Sequence, residues 1–364
     1  MKRSFADLLP TPLTDDSLAQ LAPLSSARDL LLLLERWVER GWLRALDKAF
    51  VGFLHERAPD GDPLVLLAAA LTSHQLGHGH VCLDLFETLK EPDFALSLPP
   101  EGDAQAGAQL LPSQLLEALE GAHWCKVLAS SPLVALAADA SAEAGQRPLI
   151  LSGKRLYLRR YWAYERRIDD ALRQRLSAAE PTPPDLAERL AGLFGAARGG
   201  APIDWQKLAC ALATRGAFSI ITGGPGTGKT TTTARLLVLL VAQALHAGRA
   251  SPRIALAAPT GRAAERMAES VRQAVQALAA MGVDADLLAA LPTSGTTLHR
   301  LLGTIPDSPR FRHDHDTPLP FDVVVVDEAS MIDLPLMAKL VDAVADGTRL
   351  VLLGDPDQLP SVEA

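Results

Sequence analysis

The sequence predicts an α/β fold, a parallel sheet with helices on both faces, preceded by an all-helical N-terminal domain. Two patterns indicate this fold. From Ile203 onward, short apolar runs rich in β-branched residues alternate with longer runs of helical period, which is typical of buried parallel sheets. Residues 1–146 instead show Leu and Ala at helical spacing almost throughout. We therefore expect two domains, at residues 1–146 and 147–364.

Length and composition are those of an ordinary globular protein. The 364 residues are 48% hydrophobic and 21% charged, with a net charge of −8. Since the chain is acidic, any contact with DNA must come from a local basic patch. The three cysteines form no close pair, and no apolar run approaches the ~18 residues needed to span a bilayer. We expect a cytoplasmic protein that makes no membrane contact.

Four strands are expected in the second domain, after a lead-in segment at residues 147–200 that starts with a hairpin turning at Ser152-Gly153. The strands are Phe218–Thr222, Ile254–Ala258, Phe321–Asp327 and Leu350–Gly354. Ligands of open parallel sheets bind beyond the carboxyl ends of the strands. The chemical motifs of the chain cluster at such ends, which is consistent with the predicted fold.

The first strand end carries a glycine-rich phosphate loop. Residues Gly223 to Thr230 read G-G-P-G-T-G-K-T between a strand and an apolar helical run, the context in which this pattern binds nucleoside triphosphates. Lys229 can reach the β- and γ-phosphates, and Thr230 offers a hydroxyl to Mg²⁺. The alternative is a plain glycine-rich turn. The expected nucleotide-binding residues are Gly223, Gly224, Pro225, Gly226, Thr227, Gly228, Lys229, Thr230 and Thr231.

Two later strand ends carry further candidate residues. Asp327 and Glu328 follow the run Val323–Val326, so that Asp327 is placed to anchor Mg²⁺ and Glu328 to activate the attacking water. The alternative is a helix N-cap, a position that acidic residues also favour. Gln358 follows the last strand and can sense the γ-phosphate, although the Asp-Pro dipeptide at Asp355 alone would explain a turn.

Taken together, these motifs resemble those of superfamily-one DNA helicases of the 5′–3′ branch. Four further segments carry the resemblance: Asp204–Ala209, Ala258–Ala264, Thr296–Leu302 and Asp327–Asp333. The resemblance implies that Gln206 reads adenine. It also implies contacts with the DNA backbone by Thr260, Arg262, Thr297 and His299.

A narrower resemblance, to the RecD family of exodeoxyribonuclease V alpha subunits, covers essentially the whole chain. It is carried by Leu71–His74, by Gly77–Leu83 and by the stretch from Leu151 through Trp162 to Arg166. It implies a RecA-like ATPase domain that uses ATP and Mg²⁺, a heterotrimer with RecB-like and RecC-like subunits, and single-stranded and duplex-end DNA as ligands. The helical N-terminal domain would dock onto a partner subunit, and nuclease chemistry would belong to another subunit.

The RecD family continues into a second RecA-like domain, whereas this sequence stops at Ala364. The resemblance therefore implies that residues 147–364 supply half of an ATP cleft and are poorly active alone. Two other functions stay open. One is a stand-alone RecD-like helicase, and the other is an assembly module that binds nucleotide and a partner without turnover.

Two clusters outside these motifs also have alternative interpretations. His74, His78 and His80 lie close to Cys82, but the intervening glycines favour packing and turn roles over a zinc site. The segment Lys154–Arg167 contains all three tyrosines together with Trp162 and six basic residues. It is either a surface that stacks on single-stranded DNA or a solvated helix face whose aromatic residues pack inward.

Overall fold

The structure is a computed structural model that describes residues 22–103, 110–139, 147–177, 182–195, 203–224 and 226–358. The chain divides into two compact units, one within residues 1–163 and the other within residues 164–362. None of the helices in the described ranges combines the length and the apolar character needed to cross a membrane.

Helices make up most of the first unit. They are α1 (Ala27–Glu39), α2 (Ala45–Arg57), α3 (Pro63–Leu76), α4 (Leu85–Lys90), α5 (Pro92–Leu96), α6 (Pro112–Leu116) and α7 (Gly121–Ser130). Helix α3 forms the centre of this unit, because almost every one of its side chains is buried. Two fully buried tryptophans pack in the same core, and each indole N–H donates to a backbone carbonyl: Trp37 to Leu110 and Trp124 to Leu64.

The first unit also contains a four-stranded sheet that the sequence analysis did not predict. Its strands are β1 (Cys82–Asp84), β2 (Val134–Leu136), β3 (Leu149–Ser152) and β4 (Arg155–Leu158), in the order β1-β4-β3-β2. The hairpin β3–β4 lies where it was expected, with Gly153 at positive φ in its turn. It pairs with β1 and β2, which at three residues each are too short to show an alternating pattern. The hairpin therefore belongs to the first compact unit, which extends to residue 163.

A buried carboxylate links α2 to α3. Asp47 has no solvent-exposed surface and accepts hydrogen bonds from the guanidinium of Arg44 and from the hydroxyl of Ser73, both at 2.7 Å. Burial alone would raise the pKa of Asp47, but these hydrogen bonds and the charge of Arg44 outweigh burial and hold that pKa below its ordinary value. The carboxylate therefore contributes stability above its unfolded pKa and loses that contribution as the pH falls through its folded pKa.

Replacing Asp47 with alanine should destabilise the first unit by roughly 2–4 kcal/mol, because it leaves Arg44 and Ser73 without their buried partner. The free energy of unfolding, measured by urea titration, checks this value. A matched control is Glu87→Ala, which removes the exposed pair with Lys90 and should leave the unfolding midpoint nearly unchanged. Equal effects of the two substitutions would contradict a structural role for Asp47.

The second unit is the predicted α/β domain. Its helices are α8 (Arg159–Ser177), which it shares with the first unit, α9 (Leu186–Phe194), α10 (Trp205–Ala213), α11 (Lys229–His246), α12 (Gly261–Ala280), α13 (Ala285–Ala289), α14 (Leu298–Leu302) and α15 (Leu334–Ala343). Its strands are β5 (Phe218–Thr222), β6 (Ile254–Ala258), β7 (Thr296–Thr297), β8 (Val323–Val326) and β9 (Arg349–Gly354). All pair in parallel, in the order β5-β9-β8-β6-β7.

Successive side chains of the central strands point to opposite faces of the sheet and pack in two separate hydrophobic cores. Val325 and Val351 pack with residues of α11 and α12 on one face of the sheet. On the other face, Val324 and Leu350 pack with residues of α14 and α15. Helices therefore cover both faces, which confirms the fold predicted from the sequence and gathers the carboxyl ends of five parallel strands along one edge.

Candidate nucleotide-binding site

The loop after β5 has the backbone of a phosphate-binding turn. Gly226 and Gly228 both adopt positive φ, at +75° and +81°, a conformation that side-chain-bearing residues rarely reach. Gly228 is the N-cap of α11, so the loop leads directly into the amino end of an 18-residue helix. Amide groups at such a helix end attract anions. Pro225 lies outside the described residues.

The ammonium of Lys229 lies over this loop. It donates to the carbonyl of Gly223 and, at 3.2 Å, to that of Gly224. The hydroxyl of Thr227 also donates to the carbonyl of Gly224, at 2.8 Å, which ties the two ends of the loop together. Thr230 and Thr231 follow in the first turn of α11, half-buried and exposed respectively.

Asp327 faces the same loop from the end of β8. Burial raises the pKa of its carboxyl above the ordinary value, while the amide of Glu328 and the charges of Lys229 and Arg266 partly offset that rise. A nearby cation stabilises the charged form of a partly buried carboxylate of this kind. Among the described residues no group of three or more His, Cys, Asp or Glu side chains could hold a metal ion. Mg²⁺, however, typically uses one or two carboxylates together with phosphate oxygens. The Asp327 carboxylate and the Thr230 hydroxyl are oxygen ligands of the kind that such an ion uses.

Gln206, on α10, is fixed against the phosphate loop. Its side-chain amide donates to the carbonyl of Thr227 at 2.9 Å, and Arg235 donates to its carbonyl oxygen at 3.5 Å. Arg235 in turn lies over the ring of Phe194. Sequence reasoning found Gln206 by its motif but missed Arg235, whose role depends on contacts between α10 and α11 that sequence spacing does not reveal.

Glycine at position 228 leaves room for the side chain of Gln206. A Cβ atom built on Gly228 would lie 2.5 Å from the side-chain nitrogen of Gln206. Alanine at this position would also be strained at a φ of +81°. The loop and the neighbouring glutamine therefore form one preorganised unit.

Gly228→Ala should weaken nucleotide binding by about 5- to 150-fold, since strain of this kind costs about 1–3 kcal/mol. Titration with a fluorescent ATP analogue measures the loss. Gly192→Ala is the matched control, because a Cβ there meets no atom within 4 Å and lies in helix α9, outside the site. An unchanged affinity in Gly228→Ala would show that the loop does not need this backbone conformation.

Glu328 occupies a strained position next to Asp327. It adopts left-handed backbone angles, φ 52° and ψ 41°, which are uncommon for a residue with a long side chain. Its carboxylate forms an ion pair with Arg266 of α12, at 3.7 Å between Oε1 and Nη1. Strained non-glycine residues concentrate at functional sites. Sequence analysis singled out Glu328 but did not anticipate Arg266.

The turn that carries Gln358 lies beside the phosphate loop because β9 pairs with β5. The amide of Gly223 donates to the carbonyl of Gly354 at 3.2 Å, so the two strand ends are joined directly. The buried Asp355 accepts from the amide of Asp357, and the Gln358 side chain is exposed. The rest of this motif, from residue 359, lies outside the described residues.

The four candidate DNA contacts lie at neighbouring strand ends. Ala258 of β6 pairs with Thr297 of β7. Thr260 and Thr297 both use their hydroxyls to cap helices, accepting at 3.2 Å from the amides of Ala263 and Arg300. The remaining two candidates, Arg262 and His299, have exposed side chains.

The histidine cluster of the first unit is explained by packing. His74 is buried, and its Nε2 lies 2.8 Å from the carbonyl of Leu96. Burial is the largest of the causes that lower its pKa. His78 lies against His74, with ring centroids 4.3 Å apart, and its Nδ1 contacts the His74 carbonyl. These contacts favour the packing interpretation over zinc.

The fold and these strand-end residues define a P-loop nucleotide-binding domain with a RecA-like parallel sheet. A family model described as an AAA domain matches residues 206–364. A second, described as the N-terminal domain of the RecBCD enzyme subunit RecD, matches residues 39–157. The resemblance to RecD predicted from the motifs is therefore confirmed for residues 39–157, and the AAA match agrees with the ATPase domain expected after them.

Individual relatives agree with these matches. A RecBCD enzyme subunit RecD from Mycolicibacterium smegmatis is 43% identical over 84% of this chain and 48% of its own length. RecD from Haemophilus influenzae is 52% identical over 44% of this chain and 25% of its own. An ATP-dependent RecD2 DNA helicase from Deinococcus radiodurans is 40% identical over 40% of this chain and 16% of its own. The chain thus spans about half the length of the RecD relatives that it matches most extensively.

Proposed function

We propose that this chain is the ATP-binding part of a DNA helicase subunit of the RecBCD type. It would couple ATP hydrolysis to 5′–3′ movement on single-stranded DNA. The observation that carries the proposal is the convergence of the phosphate loop, Asp327 and the Gln358 turn at one edge of a parallel sheet. On the same edge, β6 and β7 present the candidate DNA contacts. One edge can thus bind nucleotide and DNA on adjacent strand ends.

Each residue at the nucleotide site has a proposed role. Lys229 leaves the loop carbonyls to neutralise the β- and γ-phosphates. Gln206, fixed beside Thr227, hydrogen-bonds adenine, and Gln358 contacts the γ-phosphate. When bound, Mg²⁺ supplies positive charge to the phosphate oxygens, and Thr230 and Asp327 would hold it.

Glu328 is the proposed general base. Its side chain follows Asp327 directly at the strand end and carries the carboxylate needed to take a proton from water. The DNA backbone would cross the amino ends of α12 and α14, where Thr260, Arg262, Thr297 and His299 lie. Helix N-termini and basic side chains both suit phosphate.

Steady-state ATP hydrolysis by the purified chain, measured with and without single-stranded DNA, tests this function. Because the resemblance implies only half of an ATP cleft, we expect slow Mg²⁺-dependent turnover, which single-stranded DNA raises. Tight ATP binding without turnover at any DNA concentration would favour the second candidate, an assembly module that binds nucleotide and partner only. An absence of ATP binding would overturn both functions.

We also propose that the first unit binds partner subunits rather than DNA. Its α2 exposes apolar side chains one and two turns apart on one face, including Leu46 and Phe53, and Phe94 of α5 is 83% exposed. The relatives that span most of this chain are named as subunits of the RecBCD enzyme. The stand-alone alternative rests on a RecD2 match that covers only 40% of the chain. We also propose a cytoplasmic location, with which the lack of a disulfide among the three cysteines is compatible.

Residues 1–146, expressed as a separate protein, should co-purify with RecB-like and RecC-like subunits and should show little salt-dependent affinity for single-stranded DNA. The reason is that this region exposes apolar side chains, and its sequence has no dense basic stripe of the kind that neutralises phosphates. Fluorescence anisotropy at several salt concentrations measures DNA binding. Tight DNA binding with a steep salt slope and no subunit capture would reverse this assignment.

A further inference from the structure

Arg266 and Glu328 form an ion pair that joins the two halves of the proposed site. Glu328 lies at the end of β8 beside Asp327, on the nucleotide side. Arg266 belongs to α12, the helix whose amino end carries the candidate DNA contacts Thr260 and Arg262. Their charged atoms are 3.7 Å apart. One pair of side chains thus links the proposed general base to the proposed DNA surface.

The position of Arg266 gives it access to a second anion. Arg262 and Arg266 are four residues apart on α12 and therefore lie on the same face of the helix, and both side chains are exposed. The Arg266 side chain is 66% exposed, whereas that of Glu328 is only 25% exposed. A DNA phosphate bound near Arg262 could therefore contact the guanidinium of Arg266 from the solvent side. The backbone of Glu328 would not have to move.

The ion pair is weak enough to exchange. Pairs with one largely exposed partner contribute little stability, because water and salt screen them. A DNA phosphate offers the guanidinium two oxygens in a geometry that suits bidentate hydrogen bonds.

We propose that Arg266 is a positioning residue that holds the Glu328 carboxylate in the absence of DNA and exchanges it for a DNA phosphate when a strand binds. This proposal rests on the proposed function, since it assumes that Glu328 activates water and that DNA crosses the amino end of α12. Exchange frees Glu328 to turn toward the nucleotide. DNA binding thereby stimulates hydrolysis without any rearrangement of the sheet.

Binding of single-stranded DNA without nucleotide gives the first test. Competition predicts that Glu328→Gln binds DNA about 2- to 5-fold more tightly than the parent, because the competing carboxylate is removed. Arg266→Gln should bind more weakly, with a salt slope lower by about one. In the Arg266→Gln background, Glu328→Gln should no longer change the affinity. An undiminished effect of Glu328→Gln in that background would overturn the proposal.

Hydrolysis without DNA gives the second test. Arg266→Gln should raise the DNA-free kcat by about 2- to 5-fold, leave KM for ATP unchanged, and lower the stimulation by DNA by the same factor. Arg266→Lys keeps the positive charge that holds Glu328, and its DNA-free kcat should therefore stay close to the parental value. The matched control is Arg272→Gln on the same helix, which pairs with Glu269 and should leave the DNA-free rate unchanged.

Different results would refute the proposed function and the proposed role of Arg266. A parent protein that shows no DNA-stimulated hydrolysis would refute the proposed function. A parent protein that DNA does stimulate, with a DNA-free kcat unchanged or lowered in Arg266→Gln, would refute the role of Arg266 alone.

Discussion

Replacing Lys229 with alanine is expected to abolish ATP hydrolysis while the protein stays folded. The lysine is the cation of the phosphate loop, where its ammonium contacts the carbonyls of Gly223 and Gly224. Loss of one preorganised group that stabilises transition-state charge typically costs about 10²–10³-fold in kcat. Alanine favours the helix that begins at this position, so the fold should tolerate the change. Coupled-enzyme measurement of phosphate release checks the rate, and thermal unfolding checks the fold.

Removing the charge of Lys229 should also affect the carboxyl of Asp327. Lys229 is one of the charges that lower the pKa of this carboxyl against the opposing effect of burial. Lys229→Gln, which is closer in length but uncharged, should therefore lose activity as severely as Lys229→Ala. Lys126→Ala, which removes an exposed lysine from α7 of the other unit, is the control and should keep the parental rate. A parental kcat/KM in Lys229→Ala would show that the loop does not bind the triphosphate.

The sequence alone was sufficient to predict the fold of the second unit, and it assigned the candidate site residues to strand ends that the structure brings to one edge of the sheet. Phosphate loops and strand-end carboxylates are local patterns, since the residues that matter follow one another along the chain. Gly223 and Gly354 illustrate the point: both were assigned to strand ends, and the structure joins them by a hydrogen bond across β5 and β9. Parallel topology brings such ends together wherever the strands lie in sequence.

Contacts between distant segments were not predictable in this way. The pair Arg266–Glu328 depends on how α12 packs on the sheet, and hydrophobic period gives the buried face of a helix but not its partner. The small sheet of the first unit was missed for a related reason. Its strands β1 and β2 have three residues each, and their strand geometry is stabilised by the hairpin β3–β4 rather than by their own sequence.

Replacing Glu328 with glutamine should separate nucleotide binding from hydrolysis. Glutamine keeps the length and shape of the side chain but cannot accept a proton from water. Asp327 and Thr230 remain in place to hold Mg²⁺ and the triphosphate. Hydrolysis should therefore fall by about 10²–10⁴-fold, the usual contribution of a general base. Single-turnover kinetics measures the chemical step, and equilibrium titration with a fluorescent nucleotide measures binding.

The control for this substitution is Glu269→Gln, which neutralises an exposed glutamate of α12 that pairs with Arg272 and should keep both parental affinity and rate. The comparison separates two roles for Glu328, because a general base affects the rate and a ligand affects the affinity. If nucleotide affinity fell in Glu328→Gln while turnover per bound ATP held, the carboxylate would be a ligand of the Mg²⁺–nucleotide complex. The base would then have to be sought elsewhere at the same sheet edge, where the buried Asp355 follows β9 directly.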